Sequence, residues 1–97
     1  MFSFLYNIIL SRKEKMPSGS YIASLFKEDA DRIIQKVGEE AVEVVIASKN
    51  KNKELLISEL SDLFFHIFVL MVSKGVKIKD IEDELERRHS SKKDAPL

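Results

Sequence analysis

The chain has 97 residues, room for one small domain with one modest core, and its 16 basic and 16 acidic side chains give a formal net charge of zero. That balance argues against a general nucleic-acid binder, which needs a basic excess. The absence of cysteine excludes disulfides, thiolate zinc sites and cysteine nucleophiles, and three glycines with two prolines are too few for the many turns of an all-β chain.

What remains is an all-α, soluble protein of a reducing compartment, a single domain over residues 1–97, for which oligomerisation would supplement a small core. Two apolar stretches bear on membranes. Met1 to Leu10 is interrupted by Ser3 and Asn7, and Arg12, Lys13 and Lys15 follow it rather than precede it, the wrong layout for a signal peptide. Leu63 to Val72 contains His66 and is half as long as the roughly 20 residues a spanning helix needs. The expectation is a cytoplasmic protein with no membrane partner.

In chain order, Phe2, Leu5, Ile8 and Ile9 predict a helix from Met1 to about Lys15, ended by the Met16-Pro-Ser-Gly-Ser20 break. Tyr21 to Glu28 reads as an ordered loop with a short turn, packed onto the body by Tyr21, Ile22, Leu25 and Phe26. A second helix opens at Asp29 or Ala30 and carries the stripe Ile33, Ile34, Val37, Ala41, Val44 and Val45. Gly38 inside it costs about 1 kcal/mol relative to alanine, which points to a close helix neighbour or to room for a ligand. After a polar turn, Lys49 to Lys53, a third helix runs from about Glu54 to Ser73. It is apolar nearly all round, so a partner subunit is its simplest cover. Gly75 ends it, and a fourth helix follows from about Ile78 to His89 with Ile81 and Leu85 as its seam. A polar tail from Ser90 to Leu97 is expected to fray. The architecture is thus a bundle of about four helices per chain, completed by dimerisation.

Chemistry concentrates on helices two and three. Glu40 and Glu43, and likewise Glu59 and Asp62, are spaced i,i+3, which puts each pair on one helix face. About a turn centred on Lys51, Glu43 and Glu59 each lie eight residues away, and Glu40 and Asp62 each lie eleven. In an antiparallel hairpin the partners therefore stand at matching heights, roughly 12 Å and 16 Å from the turn. Four carboxylates so placed repel one another unless a divalent cation joins them. All-oxygen donors favour a hard ion, Mg²⁺ first and Mn²⁺ second, of the kind that also binds substrate phosphates. Glu-Glu-x-x-Glu is common on solvated helix faces, but Glu59 and Asp62 sit among Leu60, Leu63 and Phe64, where unpaired acids are rare. His66, one turn beyond Asp62, is first a satisfied core histidine and second a water or phosphate ligand. Lys36, four residues before Glu40 on the same face, is placed to pair with that acid or to reach a phosphate. Arg12, Lys13, Arg32, Arg87 and Arg88 are further polyphosphate candidates, each also readable as solvated surface charge.

Glu-Glu-x-x-Glu followed by Glu-x-x-Asp resembles the signature of the all-α nucleoside triphosphate pyrophosphohydrolases, the MazG-like group. Within it the chain is similar to the phosphoribosyl-ATP pyrophosphohydrolase family, over about residues 3 to 89. The markers are Arg12-Lys13 before Pro17, Ser20-Tyr21, Asp31-Arg32-Ile33, Lys36-Val37-Gly38-Glu39-Glu40-Ala41 with Glu43, Glu59-Leu-Ser-Asp62, His66, Gly75-Val76 and Glu84-Leu85 with Arg87-Arg88. Two positions depart from the family: Ile22 stands where Thr is usual, and Phe65 where Tyr often precedes the histidine.

The resemblance implies hydrolysis of 1-(5-phosphoribosyl)-ATP between the α and β phosphates, the second step of histidine biosynthesis. It implies that Glu40, Glu43, Glu59 and Asp62 hold Mg²⁺ and that Glu39 orients or deprotonates the attacking water. Lys36 would steady a phosphate oxygen, with Arg12, Lys13, Ser20, Tyr21, Arg32, His66 and Arg87 as further substrate contacts. It also implies a helical homodimer and, with no cyclohydrolase segment encoded here, the monofunctional form. The rivals are a housecleaning (d)NTP pyrophosphohydrolase of the same superfamily and a non-catalytic helical dimerisation module. A di-iron bundle is disfavoured, because Asp62-x-x-x-His66 is the nearest approach to the Glu-x-x-His pairs such sites use.

Overall fold

A computed structural model of the chain describes residues 1–91. It is all-α, with α1 (Phe2–Lys15), α2 (Tyr21–Lys27), α3 (Ala30–Ser48), α4 (Lys53–Lys74) and α5 (Ile78–Ser90). The expected frayed tail lies outside the described residues except for Ser90, which ends α5, and Ser91, its C-cap.

The helix ends follow local chemistry. Met16 closes α1 in the left-handed region at φ 47°, its N–H donating to the Arg12 carbonyl, and Pro17 prevents continuation. The Asp29 side chain accepts from Asp31 N–H to start α3, and that of Asn52 accepts from Leu55 N–H to start α4. Gly75, at φ 72°, ends α4, and Val76 N–H donates to the Met71 carbonyl at 2.9 Å. This left-handed cap suits glycine because a Cβ there costs about 1 kcal/mol or more.

The segment Tyr21 to Glu28, expected as an ordered loop with a short turn, is instead the helix α2. Seven residues make only two turns, too few for a hydrophobic period to emerge. Ser20 nonetheless caps the segment, its Oγ accepting from Ala23 N–H at 3.1 Å, and Ala23 and Leu25 are buried. Such a short helix is held by this tertiary burial and not by propensity.

The core gathers Ile9 of α1, Leu25 of α2, Ile33 of α3 and Phe68, Val69, Met71 and Val72 of α4. It therefore sits where the start of α3 meets the second half of α4. From there the α3–α4 hairpin extends toward its turn, and among the described residues much of its outer part is left open. Ile34, Val42, Val45 and Ile46 of α3, and Leu55, Ile57 and Phe64 of α4, remain exposed. At Gly38 a Cβ would meet nothing within 4 Å among the described residues, so no described helix of this chain approaches it closely. α1 also holds the far end of α4: the Tyr6 hydroxyl donates to the Val76 carbonyl at 2.8 Å and Lys13 Nζ to the Val72 carbonyl at 3.4 Å. α4 is long and apolar enough to cross a bilayer by length and composition. Glu59 and Asp62 near its middle oppose that reading, since each acid would cost about 3 kcal/mol in the hydrocarbon.

Candidate metal and polyphosphate site

The hairpin brings acids from α3 and α4 together in the stretch beyond the core. One carboxylate oxygen each from Glu40, Glu59 and Asp62 lies within 4.8 Å of the others. Glu40 and Glu59 are half-buried and Asp62 is exposed. Glu43, exposed on the next turn of α3, is near enough for its charge to act on Glu59. Partial burial, then the charges of Asp62, Glu43 and Glu40, push the Glu59 carboxyl above the ordinary carboxylate range.

No cation of the chain relieves this crowding among the described residues. The ion pairs found there join Arg32 to Glu28 and Glu39, Lys79 to Asp83, and Arg87 and Arg88 to Glu84. The donor set fits a hard divalent ion. Three carboxylate oxygens gathered within 4.8 Å of one another are the all-oxygen ligand type such an ion takes.

The remaining candidates divide by location. Glu39 is outside the oxygen cluster and exposed; Gln35 Nε2 donates to it at 3.2 Å and Arg32 lies 3.6 Å from its other oxygen. Lys36 is half-buried one turn before Glu40. Arg12, Ser20 and Tyr21 share an open depression between α1 and α2. Lys13 is directed instead to the carboxyl end of α4, at Val72, about 15 Å of helix rise beyond Asp62. Arg87 is engaged by Glu84 on α5, at 2.9 and 2.6 Å, and holds that carboxyl down at about 2 together with Arg88. The structure thus brings Lys13 and Arg87 to other partners and not to the acids.

His66 is the one buried polar residue among those described, 7% exposed. Its Nδ1 is 2.8 Å from the Asp62 carbonyl, an acceptor, so Nδ1 carries the hydrogen. Nε2 is buried with no partner among the described residues. Nε2 is thus the ring nitrogen left to meet a water or a group of a bound substrate. Beside it Phe65 meets His66 edge-on at 5.0 Å, and Tyr21 stacks on Phe65 at 6.1 Å. Sequence reading does not single out Ser18, which lines the same depression as Arg12. A serine in a Pro-Ser-Gly turn carries no signal of period or spacing.

The chain matches the family model described as phosphoribosyl-ATP pyrophosphohydrolase over residues 2–89. It is 52% identical over 86 residues to phosphoribosyl-ATP pyrophosphatase of Leptospira biflexa, covering 89% of this chain and 94% of that protein. Against the phosphoribosyl-ATP pyrophosphatase of Clostridium botulinum the identity is 55% over 84 residues, 87% of this chain and 76% of the relative. The histidine biosynthesis bifunctional protein HisIE of Bacteroides thetaiotaomicron is 52% identical over 87 residues, 90% of this chain and 43% of that longer protein. On a match that runs nearly end to end and takes in both acid-bearing helices, the chain belongs to the phosphoribosyl-ATP pyrophosphohydrolase family.

Proposed function

We propose that this protein hydrolyses 1-(5-phosphoribosyl)-ATP to 1-(5-phosphoribosyl)-AMP and pyrophosphate, the second step of histidine biosynthesis, in the cytoplasm. The observation that carries the reading is the convergence of Glu40, Glu59 and Asp62 on one point, with Glu43 beside them, in a chain of this family. Those four residues would hold Mg²⁺, or Mn²⁺ in its place. When bound, such an ion would supply positive charge to the phosphoryl oxygens and polarise the attacking water. Glu39, held by Gln35 and Arg32 next to Glu40, orients that water or takes its proton. Lys36 steadies a phosphate oxygen as a point charge. His66 offers Nε2 to a hydroxyl or water of the bound substrate.

The working form we propose is a homodimer. Phe2, Phe64, Phe68, Met71, Ile81 and Leu85 line a groove of about 500 Å³ formed by α1, α4 and α5, with Glu82 its one charged wall among the described residues. An apolar groove of this kind continues the uncovered half of α4, and helices of a second copy are the cover that matches it. Sedimentation of the wild-type chain as a dimer and of Phe64→Asp as a monomer supports this assembly; a monomeric wild type removes it.

The test of the activity is pyrophosphate release by purified protein from phosphoribosyl-ATP with Mg²⁺, beside a panel of dNTPs and the Glu43→Gln variant. Strong Mg²⁺-dependent turnover of phosphoribosyl-ATP, lost in Glu43→Gln, supports the proposal. Turnover of the dNTP panel with none of phosphoribosyl-ATP sinks it in favour of a housecleaning enzyme.

A further inference from the structure

A second polar feature lies to one side of the carboxylates. Arg12 at the end of α1, the Pro17-Ser18-Gly19 turn, and Ser20 and Tyr21 at the start of α2 line an open depression of about 480 Å³. No acid lines it. Arg12 is half-buried and makes no ion pair among the described residues. The Ser18 hydroxyl is exposed, and Ser20, though its oxygen accepts from Ala23 N–H, keeps its own hydrogen to donate. Tyr21 is 55% exposed, with its ring stacked on Phe65.

Phe65 ties this depression to the acids. It stands three residues after Asp62 on α4, about 4.5 Å of rise, and Tyr21 is one ring stack further out. The depression and the carboxylates are therefore two neighbouring sites of opposite charge, spanned by an aromatic pair.

The chemistry of the lining selects its ligand. A guanidinium fork with hydroxyl donors and no acceptor charge suits a phosphate group. An exposed aromatic face beside it suits the flat apolar side of a sugar ring. The substrate proposed above, on which this inference rests, has two phosphate-bearing ends. Its triphosphate goes to the cation among the acids, which leaves the phosphomonoester of the ribose attached to the base. We propose that the depression is the subsite for this 5-phosphoribosyl group, with Arg12 on its phosphate and Tyr21 against its ribose. This subsite separates phosphoribosyl-ATP from ATP, because ATP has nothing to place there.

Binding and kinetics test the two readings separately. The ¹⁵N-labelled full-length protein is titrated with ribose 5-phosphate, with inorganic phosphate and with ribose. The expected result is saturable shifts of the Gly19 and Ser20 amides and of Arg12 Nε–H with ribose 5-phosphate, with affinity at least tenfold weaker in Arg12→Gln. No shift at these positions, or equal affinity for inorganic phosphate, overturns the subsite. In steady state, the ratio of kcat/KM for phosphoribosyl-ATP to that for ATP falls at least tenfold in Arg12→Gln, and partly recovers in Arg12→Lys. An unchanged ratio overturns the subsite while leaving the proposed function standing. Ribose 5-phosphate binding without any turnover of phosphoribosyl-ATP supports the subsite and removes the proposed function.

Discussion

Glu40 on α3 and Glu59 on α4 face each other across the hairpin, with carboxylate oxygens within 4.8 Å and no cationic side chain of the described residues between them. Two negative charges at that distance in a half-buried setting raise each other's free energy, so the arrangement is poised for a cation. Glu59→Gln removes one charge from the cluster and leaves a neutral amide oxygen where a carboxylate donor stood. In a thermal-shift measurement Mg²⁺ raises the melting temperature of the wild type and leaves that of Glu59→Gln unmoved. Pyrophosphate release by the variant falls at least about 100-fold, as loss of a ligand exceeds the effect of losing an outer contact.

The same crowding sets a pH dependence for the metal-free protein. The Glu59 pKa is raised in the folded state, so its contribution to stability is full below the unfolded value and is lost as pH rises through the raised one. Glu84 has the opposite sign. Its carboxyl is lowered to about 2 by hydrogen bonds from Arg87 and Arg88, so its contribution is present above the unfolded value of 4.5 and is lost as pH falls toward 2. Denaturation followed from pH 7 down to pH 3 separates them. Glu59→Gln loses the gain that the wild type makes on mild acidification, and Glu84→Gln loses the fall that follows at lower pH. Saturating Mg²⁺ abolishes the first effect and leaves the second.

Tyr6→Phe tests the link between α1 and the carboxyl end of α4. The variant keeps the ring and removes the hydroxyl that donates to the Val76 carbonyl at 2.8 Å. One half-buried hydrogen bond of this kind is worth about 1 kcal/mol. Urea denaturation should show that loss, with kcat and KM unaltered, because the contact lies at the opposite end of the core from the acids.

Gly38→Ala tests one of the two reasons for a glycine inside α3, the close approach of a helix. With nothing within 4 Å of the added Cβ in one chain, the helix gains about 1 kcal/mol from alanine. The expected result is a rise in denaturation midpoint. A fall instead means that a second copy closes on Gly38, and the dimer then dissociates more readily in the same variant.

Most of this fold was legible because its longer helices announce themselves. α3 shows a 3.6-residue stripe with Asp29 at its start, and α4 stops at Gly75, whose positive φ alanine would resist. α2 was not legible, since two turns have no period and depend on burying Ala23 and Leu25. That acids of the two helices come near one another was legible for a geometric reason, i,i+3 spacing on two helices joined by a short turn, but Glu43, expected opposite Glu59, lies outside the cluster of Glu40, Glu59 and Asp62. The basic residues were not. Arg12 and Lys13 are adjacent in sequence, yet Arg12 lines the depression beside α2 and Lys13 reaches the Val72 carbonyl. Successive helix positions diverge by about 100°, and a long flexible side chain takes whichever partner the neighbouring helix presents.

By itself, then, the sequence determined what is local and periodic: helical class, the ends of the long helices, and the face on which each acid lies. Spacing along a helix fixes direction, and no distant residue is needed to read it. Only the tertiary structure decided how near the acids of α3 and α4 come, that His66 is buried with Nε2 unpartnered among the described residues, and that Tyr21 rests on Phe65 beside Arg12. Those are distances between residues far apart in the chain, set by how the helices pack, and no single segment encodes them.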